Sequence, residues 1–167
     1  MDFYDVIKKR RSIRSYKSDP VPEESIQRIA EAVYFAPSAC NMKPWKINLV
    51  TDPELRAQIA ANYTQPWLAE APAIAVIIGN NKQCWQRFEG NPAVDIDVGI
   101  AMEHLVLAAT AEGLATCWIC AYEIKKMNAV LKVTDPWNVL AISPMGFANA
   151  TPKDVPHKDI NKIFEVI

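Results

Sequence analysis

The sequence predicts an α+β fold, built as one domain over residues 1–167. Three observations predict it. Apolar residues recur at helical spacing in several segments, as in Ile26, Ile29, Ala30 and Val33. Two continuous apolar runs, Ala73–Ile78 and Leu114–Ile119, have the length of strands and lie between helical segments. Half of the residues are apolar, enough for a real core and too many for a disordered chain.

The elements follow in order. Asp2 to about Lys9 reads as a helix, with Phe3, Val6 and Ile7 on one face and cations at its C-terminal end, where they suit the helix dipole. Pro22-Glu23-Glu24 opens a second helix, because proline and acids favour a first turn, and Ala36-Pro37 closes it. Pro37 to Pro44 is a loop and Trp45–Val50 a strand. Asp52-Pro53-Glu54 starts a short helix that buries Leu55, Ile59 and Ala60. The Ala73–Ile78 strand is covered on both faces. From Asn80 to Asn91 runs a polar excursion with the composition of a lid; its Trp85 and Phe88 either cap a pocket or join the core.

Val94–Glu112 is a long helix, apolar almost all round and stopped by Gly113. Such a helix must be buried on every side, so a subunit interface is expected. Leu114–Ile119 is a strand, Glu123–Leu131 a helix, and Val139–Ile142 a strand broken by Pro144. His104, inside the apolar helix, reads as a satisfied core residue. The C-terminal run Ile163-Phe164-Glu165-Val166-Ile167 is apolar enough to require a docking place.

Charge points to an anion. Six of the eighteen Lys and Arg residues fall within ten positions, as Lys8, Lys9, Arg10, Arg11, Arg14 and Lys17, with no acid among them. The rest of the chain has twelve basic residues against nineteen acids, a net of −7. That acidic remainder argues against a nucleic-acid partner. The core of the cluster, Arg10-Arg11-Ser12-Ile13-Arg14, offers three guanidinium groups and a hydroxyl, a donor set suited to a phosphate monoester. Helix capping alone does not explain it, because Arg14 and Lys17 lie beyond the helix. With five glycines in all, the chain can build neither a P-loop nor a Rossmann turn, so side chains must hold any phosphate.

Of the four cysteines, Cys117 and Cys120 have suggestive spacing, but Cys40 and Cys84 do not supply the second pair a zinc site needs. No metal site is expected, and Cys117 and Cys120 read as small buried or half-buried residues. Apolar runs are too short to span a membrane, and no apolar leader precedes the basic run, so a cytoplasmic location is expected.

Four segments together resemble the nitroreductase family of flavin oxidoreductases. They are Arg10-Arg11-Ser12-Ile13-Arg14 after a short amphipathic helix; Ala36-Pro37-Ser38-Ala39-Cys40-Asn41-Met42-Lys43-Pro44-Trp45 before a strand; the long apolar helix running into Glu112-Gly113-Leu114-Ala115-Thr116-Cys117-Trp118-Ile119; and a basic element in the tail. The resemblance implies a mostly antiparallel sheet flanked by helices. It also implies a homodimer with two FMN sites in its interface, each C-terminal segment adding a strand to the other subunit's sheet.

Arg10, Ser12 and Arg14 match positions that hold the phosphate, ribityl chain and pyrimidine edge of FMN, with Arg11 adjacent. Pro37, Ser38, Ala39 and Asn41 match a loop that lies along the flavin bound to the other subunit. Ile119, Cys120 and Ala121 fall where backbone groups meet the reactive flavin nitrogen, and Gln65 would reach the ring. His157, with Lys158 beside it, stands where the family commonly has a phosphate-binding arginine, which would make FMN affinity weaker and dependent on pH.

Two further departures are Lys43 in place of glutamine and Cys120 in place of glycine. The implied activity takes hydride from NADH or NADPH and passes it through FMN to a nitroaromatic, quinone or similar small acceptor, by a ping-pong mechanism with no catalytic side chain. The alternatives are a family branch with dehalogenase or dehydrogenase chemistry, and an FMN-binding store or Cys120 sensor that is not a reductase.

Overall fold

A computed structural model describes residues 1–152 and 155–167, so residues 153 and 154 of the tail pattern lie outside the described residues. Five helices surround a four-stranded sheet: α1 (Phe3–Lys9), α2 (Glu23–Tyr34), β1 (Trp45–Val50), α3 (Pro53–Ala61), β2 (Ala73–Asn80), α4 (Val94–Ala111), β3 (Ala115–Thr116), α5 (Ile124–Val130) and β4 (Trp137–Gly146). The sheet order is β1-β2-β4-β3 and every pairing is antiparallel. The α+β class and the antiparallel sheet are as the sequence predicts.

Strand β2 organises the core. All eight of its residues are buried, and the two-residue period of a strand sends them alternately to two clusters. Ala75 and Ile77 meet α2 and α4 through Ile29, Val33, Val98, Met102 and Leu105. Ile74, Val76 and Ile78 meet α3, α5 and the first part of β4 through Ile59, Met127, Val139 and Ile142. At Gly79 the helix comes so near that an added Cβ would lie 2.7 Å from Val94 Cγ2.

Along α4 the buried residues are Val94, Asp97, Val98, Ala101, Met102, Leu105, Val106 and Ala109, one face at helical spacing. The opposite face is incompletely covered within one chain: Ile96 is exposed, and Ile100, His104 and Leu107 are half-buried. His104 Nδ1 lies 2.9 Å from Ile100 O.

Three sequence expectations are corrected. The strand expected over 114–119 is regular only at Ala115–Thr116, with one further bridge from Ile119 to Ile142. Between them Cys117 N donates to Ser143 Oγ instead of to a carbonyl of β4. Pro144 does not break β4, because β3 pairs only with Met145 and Gly146 and asks no donor of residue 144. Ala30 is exposed rather than part of the buried stripe, since it faces an open groove between α2 and β1.

Candidate functional site

The basic segment is folded onto the sheet. Arg10 caps α1 through its N–H to Val6 O, and the chain then runs along β3 and the residues that follow β4. Ile13 N donates to Thr116 O at 2.9 Å, Lys17 N donates to Phe147 O at 2.9 Å, and Ser15 O accepts from Asn149 N at 3.0 Å. Ile13 and Tyr16 point inward to Ala71 and Ala115, while the Tyr16 hydroxyl donates to Ile13 O at 2.5 Å. With these two as anchors, the intervening Arg14 is forced outward. Glu70 Oε2 accepts from Tyr16 N at 3.4 Å and steadies the same turn.

Arg10, Arg11, Ser12 and Arg14 line a cavity of about 700 Å³, closed on its other side by tail residues that include Thr151, Pro156 and His157. Among the described residues no carboxylate lines this cavity. None of the ion pairs among them involves Arg10, Arg11 or Arg14. Arg11 spends one nitrogen on Lys8 O and Arg10 O, at 2.6 and 2.8 Å. Three guanidinium groups line this cavity without a counter-charge among the described residues, a donor set whose chemistry suits an anion. Cys117 lies buried beneath them; burial pushes its thiol up, while Arg14, Ser12 and Arg10 pull it back down. Burial also raises the Tyr16 phenol well above its ordinary range.

A second constellation surrounds the loop after α2. Ser38 Oγ accepts from Lys43 N at 2.8 Å, and Ser38 O accepts from Asn41 N at 2.9 Å. Cys40, Asn41 and Lys43 have φ of 50°, 54° and 45°, the left-handed region that non-glycine residues seldom adopt. Ala39 N donates to Asp97 Oδ1 at 2.9 Å, from below the loop. Asp97 is 2% exposed and its Oδ2 has no partner among the described residues. The sequence reading passed over Asp97 because it sits in an otherwise apolar helix. The available signal was an acid on the same stripe as Val94, Val98 and Ala101.

The remaining candidates are dispersed. Ile119 is buried against Ile142. Cys120 and Ala121 follow it into solvent, and Cys120 Sγ accepts from Trp118 Nε1 at 3.2 Å. Cys117 and Cys120 therefore part company, one buried and one exposed, both free. Pro37 and Asn41 are exposed, and Ser38 and Ala39 half-buried. Gln65 is an exposed cap of the turn Pro66–Glu70, outside the arginine cavity. Lys158 is exposed and does not line that cavity, whereas His157 does. Phe88 is fully exposed, with Trp85 edge-on at 6.2 Å.

The two constellations occupy opposite ends of the sheet. The basic segment is bonded to Thr116, whose partner Met145 pairs with Ala73 at the start of β2. The Ser38–Lys43 loop enters β1 at Trp45, which pairs with Gly79 near the end of β2. Six steps along β2, from Ala73 to Gly79, roughly 20 Å at about 3.4 Å each, separate them.

Fold and cavity together define an α+β protein with a cluster of arginine side chains lining a cavity at one end of an antiparallel sheet. The chain belongs to the nitroreductase family, whose model matches residues 7–63 and 60–147. It is 41% identical to iodotyrosine deiodinase 1 of Rattus norvegicus, covering 99% of this chain and 70% of that protein. It is 30% identical to an NADH dehydrogenase of Thermus thermophilus, covering 83% and 71%. An FMN-dependent nitroreductase from Clostridium difficile R20291 superposes with a TM-score of 0.82 at 27% identity, over 96% of each chain.

Proposed function

We propose that this chain is an FMN-dependent oxidoreductase working in the cytoplasm as a homodimer. The observation that carries the reading is the cavity of three uncompensated arginines, Ser12 and His157, whose donors suit a phosphate dianion. Arg10, Ser12 and Arg14 would hold the phosphate and ribityl chain, with Arg11 and His157 adding charge at the rim. Cys120 and Ala121, where the chain leaves the Ile119–Ile142 bridge, would place main-chain groups beside the ring. When bound, FMN supplies the redox chemistry, taking hydride from NADH or NADPH and passing it to a nitroaromatic, quinone or similar conjugated acceptor in a ping-pong cycle. No side chain is needed as nucleophile; the protein binds, orients and excludes water.

The separation of the two constellations supports the homodimer reading. With the arginine cavity and the loop of Pro37, Ser38, Ala39 and Asn41 at opposite ends of β2, roughly 20 Å apart along the strand, the loop that lies along the flavin would come from a second copy. The uncovered face of α4 and the exposed tail residues Ile160, Ile163, Phe164, Val166 and Ile167 favour the same conclusion. An apolar groove of about 430 Å³ runs along the free edge of β1, lined by Ile26, Val33, Trp45, Ile47 and Leu49. The tail of the second copy would fill it and extend the sheet by one strand.

The test begins with the visible spectrum of the purified protein, in which bound FMN is yellow. Anaerobic mixing with NADH and with NADPH should bleach that colour with at least one donor. A yellow protein that neither donor bleaches would be a store or a sensor instead of a reductase. A second reading, reductive dehalogenation, is favoured by the 41% identity to a deiodinase. Release of halide from halogenated phenols by the reduced protein distinguishes it from nitro or quinone reduction.

A further inference from the structure

Asp97 raises a question that neither the fold nor the arginine cavity answers. Its Oδ1 holds the Ala39 amide at 2.9 Å, yet its Oδ2 is buried without a partner among the described residues. Burying an unpaired carboxylate oxygen costs stability, and an apolar side chain of the same size would avoid that cost at the loss of the single bond to Ala39. A residue kept for stability would not look like this.

What stands above Asp97 explains it better. The loop carries three non-glycine residues in left-handed backbone, Cys40, Asn41 and Lys43. Strain of this kind persists only where surrounding bonds over-determine it. Three of those bonds are internal to the loop: Lys43 N to Ser38 Oγ, Asn41 N to Ser38 O and Met42 N to Ala39 O. Internal bonds fix the loop's shape but not its place on the protein. The bond from Ala39 to Asp97 ties that shape to the first turn of α4.

We propose that Asp97 is a positioning residue: it pins the Ala39 amide, fixes the strained loop on α4 and so sets the surface that the loop presents to the flavin of a second copy. The pinning stands on the geometry alone; its consequence at the flavin rests on the proposed function.

Asp97→Leu fills the space without an acceptor, and Asp97→Asn keeps an acceptor of the same shape. Hydrogen exchange at Ala39 in the full-length protein, without added flavin, tests the pinning. Exchange should accelerate at least about tenfold in Asp97→Leu, as expected for losing one charge-assisted hydrogen bond, and less in Asp97→Asn. The melting temperature should stay close to the parent's, because losing the orphaned oxygen offsets the Ala39 amide left without its acceptor.

Both variants should bind added FMN within about threefold of the parent, since the arginine end is remote. The bound flavin's visible band and midpoint potential should shift in Asp97→Leu, with kcat falling more than KM rises, and Asp97→Asn should restore part of each. Unchanged exchange at Ala39 overturns the proposal. So does a variant with faster exchange whose bound flavin keeps its spectrum and potential, for Asp97 would then be structural. If Asp97→Leu does not fold, Asp97→Asn and Asp97→Ala carry the same readouts. A parent protein that binds no FMN overturns the flavin reading and the role at the flavin with it, while the exchange experiment still decides the anchor.

Discussion

Replacing Arg14 with alanine should cost the protein its grip on FMN but not its fold. Arg14 is exposed, makes no ion pair among the described residues and lies between the inward anchors Ile13 and Tyr16, which keep their contacts. Nothing inside the protein is left unsatisfied, so circular dichroism and the melting temperature should not change. A guanidinium bound to a phosphate dianion is worth about 1.5–3 kcal/mol, which raises Kd by roughly 10- to 150-fold. Exposure puts the effect nearer the lower end, and raising salt should shrink it further. Quenching of flavin fluorescence measures both Kd values directly. Riboflavin, which lacks the phosphate, should bind parent and variant alike. Lys17→Ala supplies the control, because Lys17 belongs to the same basic cluster but does not line the cavity. Should the two alanine variants weaken FMN binding equally, a diffuse positive field would be responsible and the cavity would not be the receptor. An Arg14→Ala protein with the parent's Kd would remove the phosphate site altogether.

Three other outcomes follow from the packing. Gly79→Ala puts a methyl group against Val94 Cγ2 and Leu140 between a strand and a helix that cannot separate, so thermal melts should show a loss of roughly 2–8 °C. Burial raises the Tyr16 phenol and Cys117 thiol above their unfolded values. Their contribution is complete below the unfolded values and is lost as pH climbs toward the folded ones, so urea midpoints should fall above about pH 8.5. Tyr16→Phe and Cys117→Ala should each flatten that fall, and an unchanged slope in both would refute the assignment. Removing residues 159–167 deletes the exposed apolar tail; light scattering should then show monomer where the full chain is a dimer, and an unaltered mass would mean the tail holds nothing together.

The fold was legible because its signals are local and strong. Apolar stripes at helical spacing mark α2 and α4, and the run from Ala73 survives as a strand buried on both faces. Where the reading slipped, a distant residue decided the outcome: Ser143 takes the Cys117 amide and ends β3 early, and the shortness of β3 in turn lets β4 pass through Pro144. The arginines announced themselves by composition, since an acid-free basic cluster on an acidic chain needs an explanation. Asp97 did not, because a single acid in an apolar helix becomes informative only once its burial and its one bond to Ala39 are seen. That the Pro37–Asn41 loop and the basic segment stand at opposite ends of β2 was equally invisible, being a property of strand register.

The three residues expected to depart from the family pattern, Lys43, Cys120 and His157, stand in different physical surroundings. Lys43 is turned back on its own helix: its ammonium donates to Tyr34 O and lies 4.4 Å over the Tyr34 ring, while its amide is held by Ser38. A charge spent in that way braces the loop from the α2 side and is withdrawn from the loop's open surface. Cys120 instead stands in solvent with Trp118 as its neighbour, and its nearest partner in sequence, Cys117, is buried beneath the arginines. His157 alone of the three joins the arginine cavity. Of the three, it is the one whose replacement should change the binding of an anion in that cavity.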